Sequence, residues 1–251
     1  MKMTEKFSLS GRTALITGSS DGIGRAIVLA LAEVGASVVV HDKSNLEKCR
    51  IVARAIEEGG GEATCCIGDI GREEELTEIM QQVDAVDILV LNASIQIKKP
   101  FESISKEEFE LQMNANVWST VRLINFYQPS MKKKGWGRIL FLGSVQQTKP
   151  HPQMAIYAAT KSSISNLMIN LAAQFAPDHI TVNSIAPGVI ETGRNTEALS
   201  DAVYAEVVRK KIPMGYFGQP EDCAALALIL CTEAGRYITG QNIYCDGGMS
   251  L

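Results

Sequence analysis

Short apolar segments without strict alternation recur along this chain, and each is followed by a segment with helical periodicity. The first two, over residues 12–17 and 37–41, are rich in β-branched residues and flank a helical pattern over 25–34 that ends at Gly35. A strand that is apolar on both faces must be covered on both faces, which is typical of parallel sheets. Two such strands joined by a helix form a βαβ unit, so the chain opens with one.

The same alternation continues to the end of the chain. Further strands are predicted over 63–67, 87–91, 138–142, 181–185 and 242–245, and helices over 73–83, 105–115, 118–134, 156–175 and 220–232. A helix between the second and third strands is expected to open with a capping box over 44–47 and to stop at Gly59. Seven strands separated by helices predict an α/β fold, a doubly wound (Rossmann) parallel seven-stranded sheet with helices on both faces.

The length of the chain and the absence of a linker favour one domain. At 251 residues an α/β chain can form a single large core, and we expect residues 1–251 to do so. Only the segment 189–217 lacks a clear buried pattern, apart from a weak helix over 199–210. A segment that long in a compact domain is usually functional, so we expect it to form a substrate lid.

Composition excludes several classes of function. The 24 Lys and Arg residues are outnumbered by 28 Asp and Glu residues, and the basic ones are scattered apart from 132–134. Nucleic acid is therefore not an expected partner. No apolar run has the length of a membrane span, and no signal peptide is evident, so we expect a cytoplasmic protein with no membrane partner. The six cysteines and three histidines show no metal-ligand spacing, and we expect no metal and reduced thiols.

A glycine-rich turn joins the first strand to the first helix, with the sequence Thr17-Gly-Ser-Ser-Asp-Gly-Ile-Gly24. Gly18 permits the tight turn, Gly22 lets the backbone approach a pyrophosphate, and Gly24 allows the helix to pack closely on the strand. The free N–H groups of the helix N-terminus would face the phosphates. No Gly-Lys-Ser/Thr follows, which excludes a P-loop, so the turn predicts dinucleotide binding.

The end of the second strand bears on which dinucleotide is bound. Asp42 lies near the offset at which an acidic side chain accepts hydrogen bonds from the adenosine ribose, and its charge would repel a 2′-phosphate. This favours NAD(H) over NADP(H). Lys43 argues in the other direction, because a cation there could pair with that phosphate. Alternatively, His41 and Lys43 only cap the strand end in solvent.

Three further residues are candidates for catalysis, although a Tyr/Lys pair four residues apart is by itself commonplace on helix surfaces. Tyr157 and Lys161 are four residues apart on one face of a predicted helix, and Ser144 follows the fifth strand directly. Groups that lie just past the carboxyl ends of parallel strands line the ligand crevice, so these side chains can converge there.

With these motifs in order, the chain resembles the short-chain dehydrogenases/reductases over essentially its whole length. The resemblance rests on the glycine turn, Tyr157-x-x-x-Lys161 and a series of shorter matches at Asp69-Ile70, Asn92-Ala-Ser94, Asn116, Ser144, Asn183 and Pro187-Gly188. It implies an oxidoreductase that transfers a hydride between a nicotinamide cofactor and a carbonyl or alcohol substrate. It also implies assembly into homotetramers, with a homodimer as the alternative.

The resemblance assigns roles to the catalytic residues. Tyr157 would be the general acid/base, Lys161 would lower the pKa of the phenol and bind the nicotinamide ribose, and Ser144 would hold the substrate oxygen. Asn116 would orient a water beside the lysine. Thr17 and Asn183 would be structural, tying neighbouring strands together.

The remaining expected contacts concern the cofactor and the substrate. The cofactor contacts predicted from the motifs and the resemblance are Gly18, Ser20, Asp21, Gly22, Ile23, Gly24, Asp42, Asp69, Ile70, Asn92, Ala93, Tyr157, Lys161, Pro187, Gly188, Val189, Ile190 and Thr192. Substrate contacts are predicted at Ser144, Gln146, His151 and Tyr157, although His151 beside two prolines is also typical of a solvated loop. The loops that would line this pocket show no concentrated positive charge, so no strongly anionic substrate is expected.

Two departures from the family pattern stand out. Ser94 occupies a position that is usually glycine, which bears on cofactor affinity or local backbone angles. Asp21 precedes Gly22 where users of NADP(H) often have a basic residue, which again favours NAD(H).

Two alternative functions remain open. A 3-oxoacyl-acyl-carrier-protein reductase would explain the basic run over 132–134, because carrier proteins are acidic, but Asp178 and the cofactor preference argue against this branch. A non-catalytic dinucleotide sensor would be expected to have lost the residues Tyr157, Lys161 and Ser144, and this chain retains them.

Overall fold

The computed structural model describes residues 2–251, apart from the side chains of residues 197 and 198. Its centre is a seven-stranded sheet in which every pairing is parallel, with the strand order β3-β2-β1-β4-β5-β6-β7. The strands are β1 (Thr13–Ile16), β2 (Ser37–Asp42), β3 (Glu62–Ile67), β4 (Ile88–Leu91), β5 (Gly137–Leu142), β6 (Ile180–Pro187) and β7 (Asn242–Cys245). The predicted seven-stranded parallel sheet is confirmed.

Helices cover both faces of this sheet. They are α1 (Gly22–Glu33), α2 (Leu46–Glu58), α3 (Glu73–Gln82), α4 (Lys106–Met113), α5 (Ser119–Lys134), α6 (Ala155–Phe175), α7 (Gly193–Ser200), α8 (Ala202–Arg209) and α9 (Pro220–Cys231). Buried residues of α1, α2 and α9 form the core on one face, and those of α3, α5 and α6 form the core on the other. The strand order reverses between β1 and β4, and this point of a doubly wound sheet opens a crevice at the carboxyl ends of the strands.

The predicted start of α2 is wrong by one residue. The helix is capped by Asn45, whose side chain accepts a hydrogen bond from the Lys48 amide at 3.0 Å. The backbone N–H of Ser44 instead donates to the Asp42 carboxylate at 2.9 Å. The carboxylate at the end of β2 therefore holds the backbone that the expected capping box would have used.

The helices predicted over 105–115 and 118–134 form one continuous helical segment. A π-helical turn, Asn114–Trp118, joins α4 to α5 without a break. The hydroxyl groups of Ser119 and Thr120 donate to the carbonyls of Ala115 and Asn116, four residues back in each case, at 2.7 and 3.2 Å. Such turns are frequent at functional sites, and this one carries Asn116.

The segment 189–217 contains two short helices in place of the single weak helix predicted over 199–210. Asp201 separates α7 from α8 and caps α8, because its carboxylate accepts hydrogen bonds from the amides of Val203 and Tyr204 at 2.9 and 3.1 Å. Ala205, Val208 and other buried residues of this segment pack in a small cluster of their own.

In the described part of the chain, no helix has both the length and the apolarity needed to cross a membrane. The six cysteines are free thiols, and the described His, Cys, Asp and Glu side chains form no group that could hold a metal ion.

Candidate active site

A cleft of about 720 Å³ lies at the carboxyl ends of the strands, at the predicted crevice. Its lining includes every residue predicted above to contact cofactor or substrate, apart from Gly24. Of the four predicted catalytic residues, Ser144, Tyr157 and Lys161 line the cleft, whereas Asn116 lies behind it.

The glycine turn has the conformation that its sequence predicts. Gly18 and Gly22 have φ angles of +64° and +54°, which glycine adopts without strain. A side-chain carbon added at Gly24 would lie against the Gly18 carbonyl and 2.5 Å from Asn92 Nδ2, so the helix meets the strand too closely for any larger residue. This backbone cradle at the start of α1 suits the pyrophosphate of a dinucleotide.

Asn92 and Thr17 hold the glycine turn in place. Asn92 Nδ2 donates to the carbonyls of Thr17 and Gly18, both at 2.9 Å. The Thr17 hydroxyl donates to the Val90 carbonyl and accepts from the amides of Asn92 and Ala93. Asn183 likewise connects β6 to the segment before β7 through Ile238 and Gln241. Thr17 and Asn183 are structural, as the resemblance implied.

The His41 side chain is buried against this turn. This differs from the alternative interpretation, in which His41 only caps the strand end in solvent. Its side chain is 1% exposed. Nδ1 accepts the Gly18 amide proton at 3.0 Å and Nε2 lies 3.0 Å from the Gly68 carbonyl, so the second nitrogen carries the proton. Burial lowers the pKa of His41, against the opposing effects of Gly68 and two nearby aspartates.

Two ionised carboxylates lie at what we call the adenosine end of the cleft, the end where the adenosine is predicted to bind. Asp42 accepts hydrogen bonds from the Ser20 hydroxyl and from the amides of Ser44 and Asn45. Burial opposes ionisation, but these bonds outweigh it and lower the Asp42 pKa. Asp69 forms an ion pair with Lys43 at 2.8 Å, and its pKa is lowered in the same way despite burial. Lys43 is therefore already paired with a carboxylate in this structure.

Tyr157 lies near the start of α6, with its side chain 6% exposed. Burial raises the pKa of its phenol, while Arg194, Ser144 and Ser94 act in the opposite direction through charge and hydrogen bonding. Ser144 is oriented by the short helix after β5, because its Oγ accepts from the Gln146 amide at 3.1 Å. The phenol thus faces the serine that sequence analysis placed beside it.

Lys161 lies one turn beyond Tyr157 and is buried. Its Nζ donates to the Leu142 carbonyl at 2.6 Å and lies 5.6 Å from the centre of the Tyr157 ring. Burial and the charge of Arg194 lower the Lys161 pKa to about 7. The resemblance implied that Lys161 lowers the pKa of the phenol. In this arrangement the phenol pKa is raised, and Arg194 is the cation that opposes the rise.

Asn116 projects from the π-helical turn behind the cleft. Its Nδ2 donates to the Ile95 carbonyl and to Thr160 Oγ1, and its Oδ1 accepts from the Ile95 amide. The side chain thereby holds the loop after β4 against α6. Its side-chain polar atoms have protein partners in this arrangement, and the water contact stays a prediction of the resemblance.

Arg194, which sequence analysis passed over, reaches across the cleft from α7. It donates from Nη1 to Ser94 Oγ at 3.1 Å and from Nη2 to the Ser94 carbonyl at 2.9 Å. The one feature of the sequence that could have pointed to this contact is the serine at position 94, where the family usually has glycine. Its hydroxyl is one of the two groups that accept hydrogen bonds from Arg194. Nothing in the local sequence around Arg194 indicated its partner.

The substrate end of the cleft is more basic than expected. Lys98, Lys211 and Arg194 line it together with His151, so the expectation of no concentrated positive charge is wrong. The reason is that these cations come from three separate places in the fold, the loop after β4, helix α7 and the segment after α8. His151 is half-buried, and burial together with Lys98 and Lys211 lowers its pKa, which differs from a solvated loop residue. Gln146 also lines this end, and its Oε1 is buried without a hydrogen-bond partner in the described structure.

The segment after β6 closes one side of the cleft. The Gly188 amide donates to the Cys245 carbonyl at 3.0 Å, which fixes the turn at Pro187. Thr192 precedes α7 and lies against the glycine turn, 3.2 Å from where a side-chain carbon on Gly22 would be. The predicted cofactor contacts Pro187, Gly188 and Thr192 therefore lie beside the glycine turn, which is predicted to hold the pyrophosphate.

Comparison with known proteins agrees with this site. Residues 18–250 match a family model described as enoyl-(acyl-carrier-protein) reductase. The chain is 36% identical over 251 residues to 3β-hydroxysteroid dehydrogenase 1 of Eggerthella lenta, covering 97% of this chain and 95% of that protein.

Two solved structures are also similar. One is a 3-oxoacyl-acyl-carrier-protein reductase from Agrobacterium tumefaciens with NADP bound, at 35% identity and a TM-score of 0.94 over 99% of this chain and 98% of that one. The other is a gluconate 5-dehydrogenase from Burkholderia cenocepacia in complex with NADP and tartrate, at 32% identity and a TM-score of 0.91 over 99% of both chains.

The fold, the site and these similarities define a nicotinamide-dependent oxidoreductase. The chain belongs to the short-chain dehydrogenases/reductases and acts on CH–OH groups.

Proposed function

We propose that this protein interconverts a ketone and a secondary alcohol, with Tyr157 as the general acid/base. The observation that carries the proposal is the convergence of the Tyr157 phenol, the Ser144 hydroxyl and buried Lys161 in one cleft, beside the glycine turn. A phenol in that place can give its proton to a carbonyl oxygen during reduction, or take one from an alcohol during oxidation.

The neighbouring side chains support that proton transfer. Ser144 is fixed by the Gln146 amide, so its hydroxyl can donate to the substrate oxygen as negative charge develops. Arg194 places positive charge near the phenol and stabilises its ionised form, and Lys161 Nζ lies 5.6 Å from the centre of the Tyr157 ring. The dinucleotide, when bound along the glycine turn, supplies the hydride.

We propose that the cofactor is NAD(H) in preference to NADP(H). Asp42 is ionised and receives hydrogen bonds that fix its carboxylate at the adenosine end, where a 2′-phosphate would be repelled. Asp21 adds a second carboxylate to the same lining, and Lys43 is engaged by Asp69. The two similar structures described above hold NADP, so the proposed preference rests on these residues of this chain alone.

We further propose that segment 189–217 is a lid over the substrate in a single domain. The contact of Arg194 with Ser94 supports this, because it joins α7 to the loop after β4 across the mouth of the cleft. The six free thiols suit a reducing cytoplasm, which is the location proposed.

The test is turnover by the purified protein, followed by cofactor absorbance, on a panel of ketones, sugars, hydroxy acids and 3-oxoacyl thioesters with NADH and NADPH. Oxidation or reduction of one substrate class, faster with NAD(H), is the expected result. If reduced dinucleotide binds and the whole panel gives no turnover in either direction, the proposal of catalysis fails and a sensor becomes the better account.

A second candidate, reduction of a 3-oxoacyl-acyl-carrier protein, is favoured by the similarity to the Agrobacterium reductase. The basic run that could attract an acidic carrier is largely neutralised, however. Lys132 pairs with Asp178 at 3.1 Å and Lys134 pairs with Asp87 at 2.8 Å. Within the described structure, Lys133 is the one lysine of that run without an ion pair, so steering of a carrier protein by this patch would be weak.

A further inference from the structure

Three cations surround the substrate end of the cleft, and we call them the cationic rim: Lys98, Arg194 and Lys211. They come from the loop after β4, from α7 and from the segment after α8, and all three line the cleft. None of them forms an ion pair with a side chain that the structure describes. Elsewhere on this surface basic residues are commonly paired, as Lys99 is with Glu108 and Lys132 with Asp178.

Charge is divided sharply between the two ends of the cleft. The carboxylates among its described lining residues are Asp21, Asp42 and Asp69, of which Asp42 and Asp69 lie at the end of β2 and after β3, and Asp21 lies at the glycine turn against Gly193. The substrate end therefore presents positive charge without a compensating acid in the described lining. Such a surface attracts anions and disfavours cations.

Arg194 is held in a position to bind an anion next to the reacting groups. Two of its five N–H groups are donated to Ser94, a neutral partner, so its charge is not cancelled. It acts on both Tyr157 and Lys161, which places it beside the catalytic pair. A planar guanidinium with unused N–H groups matches the geometry of a carboxylate.

Lys98 and Lys211 also act on His151, which lines the same end of the cleft. Both raise the positive potential around half-buried His151, which favours the neutral imidazole. His151 Nδ1 accepts the Gln153 amide proton at 3.2 Å, so the ring is oriented by the chain itself. The rim thus extends from the phenol of Tyr157 to the outer edge of the cleft.

We propose that the substrate of this oxidoreductase carries a carboxylate, which Arg194 binds and which Lys98 and Lys211 attract, so that the enzyme acts on hydroxy or oxo acids. This inference rests on the proposed function and narrows it to one substrate class. Ser94 has a specific part in it, because its hydroxyl orients the guanidinium toward the cleft.

The experiment compares kcat/KM for short hydroxy acids, D-gluconate among them, with kcat/KM for the primary amide of each acid. The amide keeps the shape and removes the charge. We expect at least about a 10-fold preference for the acid. Arg194→Gln should reduce this preference about 10-fold, Arg194→Lys less, and Lys211→Gln about 2- to 5-fold.

Lys133→Gln is the matched control, because it removes the same charge from a site remote from the cleft and should leave the preference unchanged. An acid-to-amide ratio near one, or a ratio unaffected by Arg194→Gln, would overturn the inference. Turnover of neutral alcohols with none of the acids would also overturn it while leaving the proposed function intact. No turnover of acids, amides or neutral alcohols would overturn both.

Discussion

His41 shows how a single buried side chain supports the cofactor site. It accepts the Gly18 amide proton and contacts the Gly68 carbonyl, so it connects the glycine turn to the end of β3. Only the neutral ring can accept from Gly18. From the sequence alone, a histidine at the end of a strand is as compatible with an exposed side chain as with a buried one. Nothing in the sequence shows that the Gly18 amide and the Gly68 carbonyl converge on it.

A pH dependence of stability follows from the lowered pKa of His41. Above its ordinary value of 6.5, the ring is neutral in the folded and unfolded chains. As pH falls below that value the unfolded chain takes up a proton first, so the free energy of unfolding decreases. His41→Asn, which keeps an acceptor for Gly18, should cost about 1 kcal/mol at neutral pH and flatten this dependence.

Urea titrations of both proteins between neutral and mildly acidic pH measure the effect. His151 is present in both, so its contribution cancels. Parallel pH profiles for the two proteins would show that His41 does not titrate between the folded and unfolded states.

Asp42 carries the proposed choice of cofactor. Asp42→Ala removes the charge that repels a 2′-phosphate and also releases Ser20 and the amides of Ser44 and Asn45. The ratio of NADH to NADPH affinity should fall by about 10-fold or more, measured by fluorescence titration. Asp21→Ala provides the comparison for the second carboxylate, and an unchanged ratio in both variants would place the selectivity elsewhere.

At the scale of elements, the junction between β1 and α1 is the best predicted part of the molecule. Its glycines are required by local geometry, so their spacing in the sequence is sufficient to predict both the turn and its ligand. The π-helical turn at 114–118 and the break at Asp201 were not predictable in the same way. The π-helical turn carries Asn116, whose side chain bonds to Ile95 in the loop after β4. The break comes from Asp201, whose side chain caps α8 and so competes with continuation of α7.

Gly24→Ala tests the β1–α1 junction. The added carbon would meet the Gly18 carbonyl and Asn92 Nδ2, both fixed by the strand, so the unfolding free energy should fall by about 2–3 kcal/mol and cofactor binding should weaken. The control is Gly59→Ala at the end of α2, where the nearest atom would be 3.4 Å away and φ is negative. Equal thermal stability of the two variants would contradict the close packing.

At the scale of the whole molecule, the alternation of buried strands and helices was enough to predict the sheet and its two covered faces. The substrate end of the cleft was not predictable, because Lys98, Arg194 and Lys211 converge only after folding. Assembly remains a prediction of the family resemblance. It is supported by apolar side chains of α4, α5 and α6 that stay exposed, among them Phe109, Phe126 and Ile169.

We expect light scattering to give two or four times the 27.2 kDa of one chain. Phe126→Lys, at a side chain that is 40% exposed on α5, should shift the mass toward the monomer. Ile51→Lys on α2 makes the same chemical change at a 55% exposed residue and should have no effect. A mass of one chain for the unaltered protein would contradict the prediction.

In the proposed mechanism Tyr157 transfers the proton while the cofactor is held mainly by other residues, so the decisive variant is Tyr157→Phe. The measurement is kcat on the best substrate of the panel together with NADH affinity by fluorescence, with Tyr237→Phe, at a fully exposed phenol, as control. We expect a fall in kcat of about 10²–10⁴ with nearly unchanged NADH affinity for Tyr157→Phe, and normal values for the control. Near-normal turnover by Tyr157→Phe would contradict it.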